Sequence, residues 1–207
     1  MAAVPCVREE LRGHAGGVMC VHACPYDENL VASASEDGTA RIWDMRTRTA
    51  VRCVSARSWA GSSSGSGGGG PHTELAVNAV RFGRGAGCDH LYAAAGACAA
   101  AFDLRRTEVV LHKAALPYDP VGEEIAAIAD CDGSQLIVAD DDGVLTVFEP
   151  ASGSSAPVRA TRAHESLCAA VTWLPSGARG GEGAIVSGGL DCAVCVWCVC
   201  CTVARRV

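Results

Sequence analysis

Short apolar runs separated by turn-forming residues recur along the chain, and several show the every-second-residue alternation of a half-buried strand. The first group opens with Val18-Met19-Cys20-Val21-His22-Ala23, turns through Cys24 to Asn29, and continues with Leu30 to Ser35. Glu36-Asp37-Gly38 then forms a tight turn before Thr39-Ala40-Arg41-Ile42-Trp43. Gly38 has no Cβ and takes positive φ freely, so the chain can reverse there in two or three residues. Thr47 to Val54 alternates as an outer strand should, which completes a predicted four-stranded antiparallel unit.

Three more groups follow the same plan. One runs from about Leu75 to Arg106, with strands predicted at Ala76 to Phe82, Asp89 to Ala94 and Ala97 to Phe102. Another runs from about Glu123 to Pro150, with Ile125 to Ala129, Gln135 to Ala139 and Val144 to Phe148 around an Asp142-Gly143 turn. The last runs from about Ala163 to Cys198 and shares two offsets with the first group: Ser187 stands four residues before Asp191 and Trp197 six after, as Ser33 and Trp43 flank Asp37. The third-strand aromatics Trp43, Phe102, Phe148 and Trp197 are 59, 46 and 49 residues apart. The Gly/Ser-rich stretch from Gly61 to Pro71 lengthens the first interval and reads as an expanded loop between units.

Within Leu11 to Arg46, the Gly13-His14 pair, the Ser33-x-Ser35-x-Asp37-Gly38 turn and the Trp43-Asp44 end together resemble the WD40 repeat family. The resemblance implies an all-β propeller. It also implies a buried hydrogen-bonded chain of Trp, Ser, His and Asp in each complete blade: His14, Ser33, Asp37 and Trp43 in the first, and His164, Ser187, Asp191 and Trp197 in the fourth. Their chemistry suits the role, because Trp donates, Ser donates and accepts, neutral His does both, and the Asp carboxylate ends the chain. The second unit has Phe102-Asp103 at the Trp-Asp position and Gly96 where the turn Asp would be, and no His precedes the third. The expected organisation is one propeller domain over 1–207, with blades at about 11–57, 73–112, 121–158 and 162–201 and a loop insertion at 61–71. Four blades are fewer than the seven usual in this family, so an incomplete fragment of a seven-bladed propeller is expected. Cys6 to Leu11 is expected as an isolated strand pairing far along the chain, and the stretch after Cys198 shows no clear turn and outer strand.

Composition narrows the function. The chain has 207 residues, of which 49% are hydrophobic, enough for a substantial core. Lys+Arg of 17 against Asp+Glu of 23 gives a net charge of −6, which argues against binding nucleic acid by phosphate neutralisation. The N-terminal residues lack a basic region followed by an apolar run, and no apolar stretch is long enough to span a bilayer. The expectation is a soluble cytoplasmic or nuclear protein without direct membrane contact. The 13 cysteines, including Cys20, Cys53 and Cys168, mostly occupy apolar strand positions and read as reduced small hydrophobes.

Trp43-Asp44-Met45-Arg46 also matches the WDxR motif of substrate receptors that dock on the damaged-DNA-binding adaptor of cullin-4 ubiquitin ligases. The resemblance makes Arg46 the docking determinant, with Trp43 and Asp44 beside it, and Asp103 and Arg105 form a second copy. A guanidinium fork suits carboxylate or carbonyl oxygens across an interface. Other clusters carry less. Cys192, Cys195 and Cys198, with Cys200 and Cys201, have metal-ligand spacing, but a strand would put Cys195 on the face opposite Cys192 and Cys198. Asp140-Asp141-Asp142 reads as an acidic turn, and Arg41, Arg46, Arg48, Arg52 and Arg57 as a solvated outer strand and loop. No nucleophile elbow, phosphate-cradling loop or His-Glu zinc motif is found, so no catalytic, cofactor or metal residue is expected. The expected function is a non-catalytic protein-interaction scaffold, as a cullin-4 substrate receptor, with self-association through open propeller ends. The alternatives are an assembly scaffold in a chromatin or RNA-processing complex, or a truncated product without stable function.

Overall fold

An alternating strand is stable in water only when its edges are paired and its apolar face is covered, and short turns let successive runs pair with one another. The computed structural model describes residues 10–60, 75–85, 89–106, 110–111, 116–175, 183–198 and 204–206, and in it this happens four times. The first blade is an antiparallel meander of β1 (Val18–Ala23), β2 (Leu30–Ser35), β3 (Thr39–Asp44) and β4 (Thr49–Ser55). The second begins with β5 (Val77–Phe82), β6 (His90–Ala95) and β7 (Cys98–Asp103). The chain then returns to the first blade, where β8 (Val110–Leu111) pairs parallel to β4, before β9 (Leu116–Pro117) completes the second blade against β7. The third blade is β10 (Ile125–Cys131), β11 (Gln135–Asp140), β12 (Val144–Phe148) and β13 (Arg159–Arg162). The fourth is β14 (Cys168–Leu174), β15 (Ala184–Gly189), β16 (Val194–Cys198) and β17 (Ala204–Arg206).

Three boundaries differ from those read off the sequence, the third blade running past its expected end at 158 through β13 (Arg159–Arg162). The second blade reaches Leu116–Pro117, past the expected end at 112, while Val110–Leu111 belongs to the first sheet. A proline at an outer edge removes no ladder bond that the sheet needs, so the pairing survives there. The fourth blade has an outer strand, β17, registered with Trp197 opposite Ala204 and Cys195 opposite Arg206. The sequence between β16 and β17 contains no Gly, Pro, Asn or Asp, which is why no turn was read there. The expected Gly/Ser loop at 61–71, Cys200, Cys201 and most of the expected N-terminal strand lie outside the described residues.

The repeat is sharper in the backbone than in the side chains. Every first strand slips register at the same place, between Val18 and Cys20, Val77 and Ala79, Ile125 and Ala127, and Cys168 and Ala170. Such a bulge raises local twist, which a blade needs to fan away from its neighbour. The slips also align the blades: Val77 and Val80, Ile125 and Ile128, and Cys168 and Val171 are equivalent pairs, and all six are buried against the preceding blade. They are received by small or flat residues: Ala32, Ala34 and Ala40 in the first blade, Ala94 and Ala99 in the second, and Ala139 in the third. Alanines here let two twisted sheets approach closely, and each buried Val or Ile adds roughly 1.5–3 kcal/mol. Polar contacts cross the same joints. The Phe82 amide donates to His22 Nδ1 at 3.1 Å, Asn78 Nδ2 to the Ile125 carbonyl at 3.2 Å, and Trp173 Nε1 to Asp132 at 3.0 Å. No helix among the described residues is long and apolar enough to cross a membrane.

The β2–β3 type hairpin turns left-handed in every blade, at Gly38 (φ 74°), Gly96 (φ 53°), Gly143 (φ 77°) and Cys192 (φ 63°). Cys192 alone carries a Cβ in a conformation that costs non-glycine residues of order 1 kcal/mol. Cys192→Gly is therefore expected to stabilise the protein, by up to about 1 kcal/mol after the greater unfolded-state freedom of glycine is subtracted. Chemical denaturation compares the two midpoints, and a lower midpoint for the variant would contradict this account.

Candidate protein-interaction surface

The first-blade residues His14, Ser33, Asp37 and Trp43 lie end to end. Trp43 Nε1–H donates to Ser33 Oγ at 2.7 Å, and the Ser33 hydroxyl meets His14 Nε2 at 2.7 Å. His14 Nδ1 lies 2.9 Å from Asp37 Oδ2, so its N–H donates to the carboxylate. Burial works to raise the Asp37 carboxyl, but four hydrogen bonds outweigh it and hold it well below the usual carboxylate range. They come from the Thr39 hydroxyl, the Ala15 amide, His14 and the Thr39 amide, in that order of strength. The fourth blade repeats the geometry: Trp197 Nε1 to Ser187 Oγ at 3.0 Å, Ser187 Oγ to His164 Nε2 at 2.8 Å, and His164 Nδ1 to Asp191 at 2.9 Å. Ser33, Trp43, His164 and Ser187 are buried, so these groups tie strands together and cannot reach a solute.

The middle blades have lost this chain coherently. Ala93 and Val138 hold the register positions of Ser33 and Ser187, and Phe102 and Phe148 those of the two tryptophans. Donor and acceptor are removed together, leaving no orphan, and Phe102 and Phe148 are fully buried instead.

The exposed chemistry sits just past the third strands. Arg46 grips Asp44 through Nε (3.1 Å) and Nη2 (2.7 Å), and the Arg46 amide closes the loop on the same carboxylate at 2.8 Å. Arg105 grips Asp103 in the same way, at 2.9 Å and 2.8 Å, with its amide at 2.9 Å. Both arginine side chains are 66% exposed, whereas those of Asp44 and Asp103 are largely covered. The Arg46 hydrogen bonds lower the Asp44 carboxyl to about 2, and those from Arg105 hold Asp103 lower still, so both pairs stay ionised at neutral pH. One edge of each fork faces its own carboxylate, and the Nη1 edge is turned away from it. The two forks share one end of adjacent blades, because the residue after each third strand pairs with the first hairpin turn: Met45 N with Asn29 O at 2.8 Å, and Leu104 N with Asp89 O at 2.7 Å. Trp43 and Asp44, read from the motif as docking residues, are buried; they can place Arg46 but not touch a partner broadly.

The remaining candidates resolve into structure. Arg41 lies over the Trp43 ring at 6.0 Å, and Arg52 Nη2 donates to the Arg106 carbonyl at 2.9 Å. Asp140 is buried and accepts the Val144 amide at 2.8 Å, and Asp142 stands 3.9 Å from Arg162. Cys195 is buried in β16 with Sγ 3.6 Å from the Ala163 carbonyl, while Cys192 is exposed in the turn. Among the described residues no group of His, Cys, Asp and Glu is placed to hold a metal ion.

Sequence reading missed Asp130. It is fully buried, accepts the Arg84 amide at 2.9 Å and the Gly133 amide at 3.2 Å on one oxygen, and has no partner on the other. Burial pushes its carboxyl up to about 6, against the pull of those amides and of Arg81. The signal was available: an acid at the core-facing end of a strand, where the equivalent residues are Phe82 and Trp173.

Two outcomes are expected. Ser187→Ala orphans Trp197 Nε1 and His164 Nε2 and should lower stability by about 2 kcal/mol, with Ser187→Ala/Trp197→Phe costing less than the sum of the single changes. Equilibrium unfolding of the four proteins checks this; additive losses would deny the coupling. Asp130 has a folded pKa above its unfolded one, so its contribution is present below the unfolded value and is lost as pH rises through about 6. Asp130→Asn should therefore flatten the decline in melting temperature between about pH 4 and 6.5 and stabilise by on the order of 2 kcal/mol at the upper end. An unchanged pH profile would rule out Asp130 as its source.

Comparison with known proteins agrees with the geometry. The WD40 family profile, described as WD domain, G-beta repeat, matches residues 5–44 and 155–198, which include the first and fourth blades' hydrogen-bonded chains. Ribosome biogenesis protein YTM1 of Kluyveromyces lactis is 38% identical over 47 residues, covering 23% of this chain and 11% of that protein. The probable E3 ubiquitin ligase complex SCF subunit sconB of Arthroderma benhamiae is 40% identical over 49 residues, 24% of this chain and 7% of that one. The WD repeat-containing protein 26 homolog of Arabidopsis thaliana is 56% identical over 36 residues, 17% of this chain and 6% of that one. The matched segments thus span only a small part of these relatives. The solved WD40 repeats of RRP9 superpose with a TM-score of 0.72 at 17% identity, over 95% of this chain and 52% of that one. The structure of U3-55K gives 0.71 at 17% identity, over 95% and 53%. This chain therefore spans about half the length of the propellers it matches. The repeated blades and buried strand-tying residues therefore belong to the WD40 propeller fold, and two segments of the chain match the WD40 family profile.

Proposed function

We propose that this chain is a non-catalytic scaffold that docks on the damaged-DNA-binding adaptor of a cullin-4 ubiquitin ligase and presents another blade surface to a substrate protein. The observation that carries the reading is the pair of Asp-Arg forks, Asp44–Arg46 and Asp103–Arg105, on one end of adjacent blades. Each holds a two-thirds exposed arginine side chain in place through a largely covered aspartate. A pre-oriented guanidinium loses little side-chain freedom on binding, which favours an interface with carbonyl or carboxylate oxygens. The order of blades, complete, then ending Phe102-Asp103-Leu104-Arg105, then lacking His, then complete again, resembles WD repeat-containing protein 53 and supports the same reading. The sconB relative is named as a subunit of a different class of ubiquitin ligase.

A second reading has its own support. The YTM1 relatives are ribosome biogenesis proteins by name, so an assembly scaffold in an RNA-processing complex, without any ligase, also fits this chain. Either role places the protein in the cytoplasm or nucleus. Affinity purification separates the two. The ligase reading expects the wild-type chain to recover the adaptor and Arg46→Ala/Arg105→Ala to recover at least tenfold less, with unchanged thermal stability. Absence of the adaptor from the wild-type eluate, with ribosome-assembly proteins present, would favour the second reading.

A further inference from the structure

A basic cluster lies where the first two blades meet, at the end that also carries the Arg46 and Arg105 forks. Its cleft, of about 540 Å³, is lined by Pro25 and Tyr26 from the turn after β1 and by Arg84 and Gly85 just after β5. Both segments are tied to the forks: Met45, beside Arg46, pairs with Asn29, and Leu104, beside Arg105, pairs with Asp89. The backbone of Arg84 is fixed. Its amide donates to Asp130 Oδ2 at 2.9 Å, and Gly85, at φ 53°, leaves no room for a Cβ against the Asp132 carbonyl. The guanidinium has no such anchor. Among the described residues neither Arg84 nor Arg81, three residues earlier in β5, forms an ion pair or a side-chain hydrogen bond, although both are half-buried and the Nε of each is covered. The acids across the joint do not compensate them: Asp130 holds the Arg84 and Gly133 amides, and Asp132 accepts Trp173 Nε1 at 3.0 Å. The two charges act on what surrounds them. Burial first, then Arg84, lowers the Arg81 guanidinium against the pull of Asp130. Burial, then Arg81 and Arg84, lowers His22 to about 4, so its ring is neutral and Nδ1 accepts the Phe82 amide at 3.1 Å.

We propose that this cleft binds a phosphotyrosine side chain of a partner protein, with the phosphate on Arg84 and Arg81 and the ring against Pro25 and Tyr26. A phosphate monoester carries roughly two negative charges at neutral pH and three acceptor oxygens, so one group can meet both guanidinium groups. A carboxylate is satisfied by a single fork and would leave the second arginine unpaired. Two like charges held half-buried in one joint disfavour each other, and a bound dianion removes that repulsion. The cleft is far larger than a bare phosphate needs. Tyr26, 51% exposed and set edge-on to Phe82 with ring centres 6.4 Å apart, gives it a fixed aromatic wall. An aromatic ring packs on such a wall, whereas a phosphoserine has no ring to place there. The site stands whether or not the forks dock on an adaptor, because neither fork contributes to it.

Fluorescence anisotropy of the 207-residue chain with end-labelled peptides Gly-Ala-Xaa-Ala-Gly tests the proposal. With phosphotyrosine at Xaa the affinity should exceed that of the tyrosine and phosphoserine peptides by about tenfold or more. Arg84→Gln and Arg81→Gln should each weaken phosphotyrosine binding about tenfold without lowering the melting temperature, since each removes an unpaired, half-buried charge. Arg159→Gln, at an exposed arginine of β13, should bind as the wild type does. Tyr26→Ala should erase the preference for phosphotyrosine over phosphoserine. No binding of the phosphotyrosine peptide, equal binding of the tyrosine peptide, or unchanged affinity in Arg84→Gln would each overturn the proposal. Two further results would overturn phosphotyrosine as the occupant. Inorganic phosphate displacing the peptide at equal concentration would show that the cleft takes the free ion, and equal binding of the phosphoserine peptide would show that the ring is not read.

Discussion

A propeller blade is a twisted sheet that is apolar on both faces, and it is stable only where both are covered. Every other feature of this chain follows from that demand. The first strands of the second, third and fourth blades meet it by presenting two apolar residues, set by a bulge, to the small residues of the blade before. The bulge matters because a straight strand would stay parallel to its neighbour and could not fan outward. The alanine-rich strands β6 and β7, which look poor in β-forming residues, are the cost of that close approach.

Two solutions hold the strands within a blade. The first and fourth blades use a directional chain from an indole through a hydroxyl and an imidazole to an ionised carboxylate. The second and third replace that chain by phenylalanine against alanine or valine. Neither is a weakened version of the other, because a partial chain would leave a buried group unsatisfied, whereas its complete removal leaves an apolar core. The same logic marks Asp130 as a costly residue in the joint between the second and third blades, where a carboxyl group is buried with one oxygen unpaired.

Much of this was legible in the residues. The shared offsets around Asp37 and Asp191 located two complete blades, and apolar runs located the inner three strands of the first three. What alternation does not encode is the partner of an edge. Outer strands are short, lie beside solvent and follow irregular connections, so β8, β9 and β17 were misplaced or missed. The motif named Trp43, Asp44 and Arg46 as one unit, but pairing in three dimensions separates them into an anchor, a clamp and an exposed cation.

The return of β8 to β4 has a mechanical consequence. The connection leaving the third strand of the second blade is hydrogen-bonded to the outer edge of the first before it closes its own sheet. Peeling the outer strand from the first blade therefore pulls directly on the second, and fraying of either edge loads the backbone of both. A series of blades that each touch only their neighbours would ordinarily unzip one unit at a time. Here the first two are laced by their own chain, so they should resist force, and yield to it, as a single element.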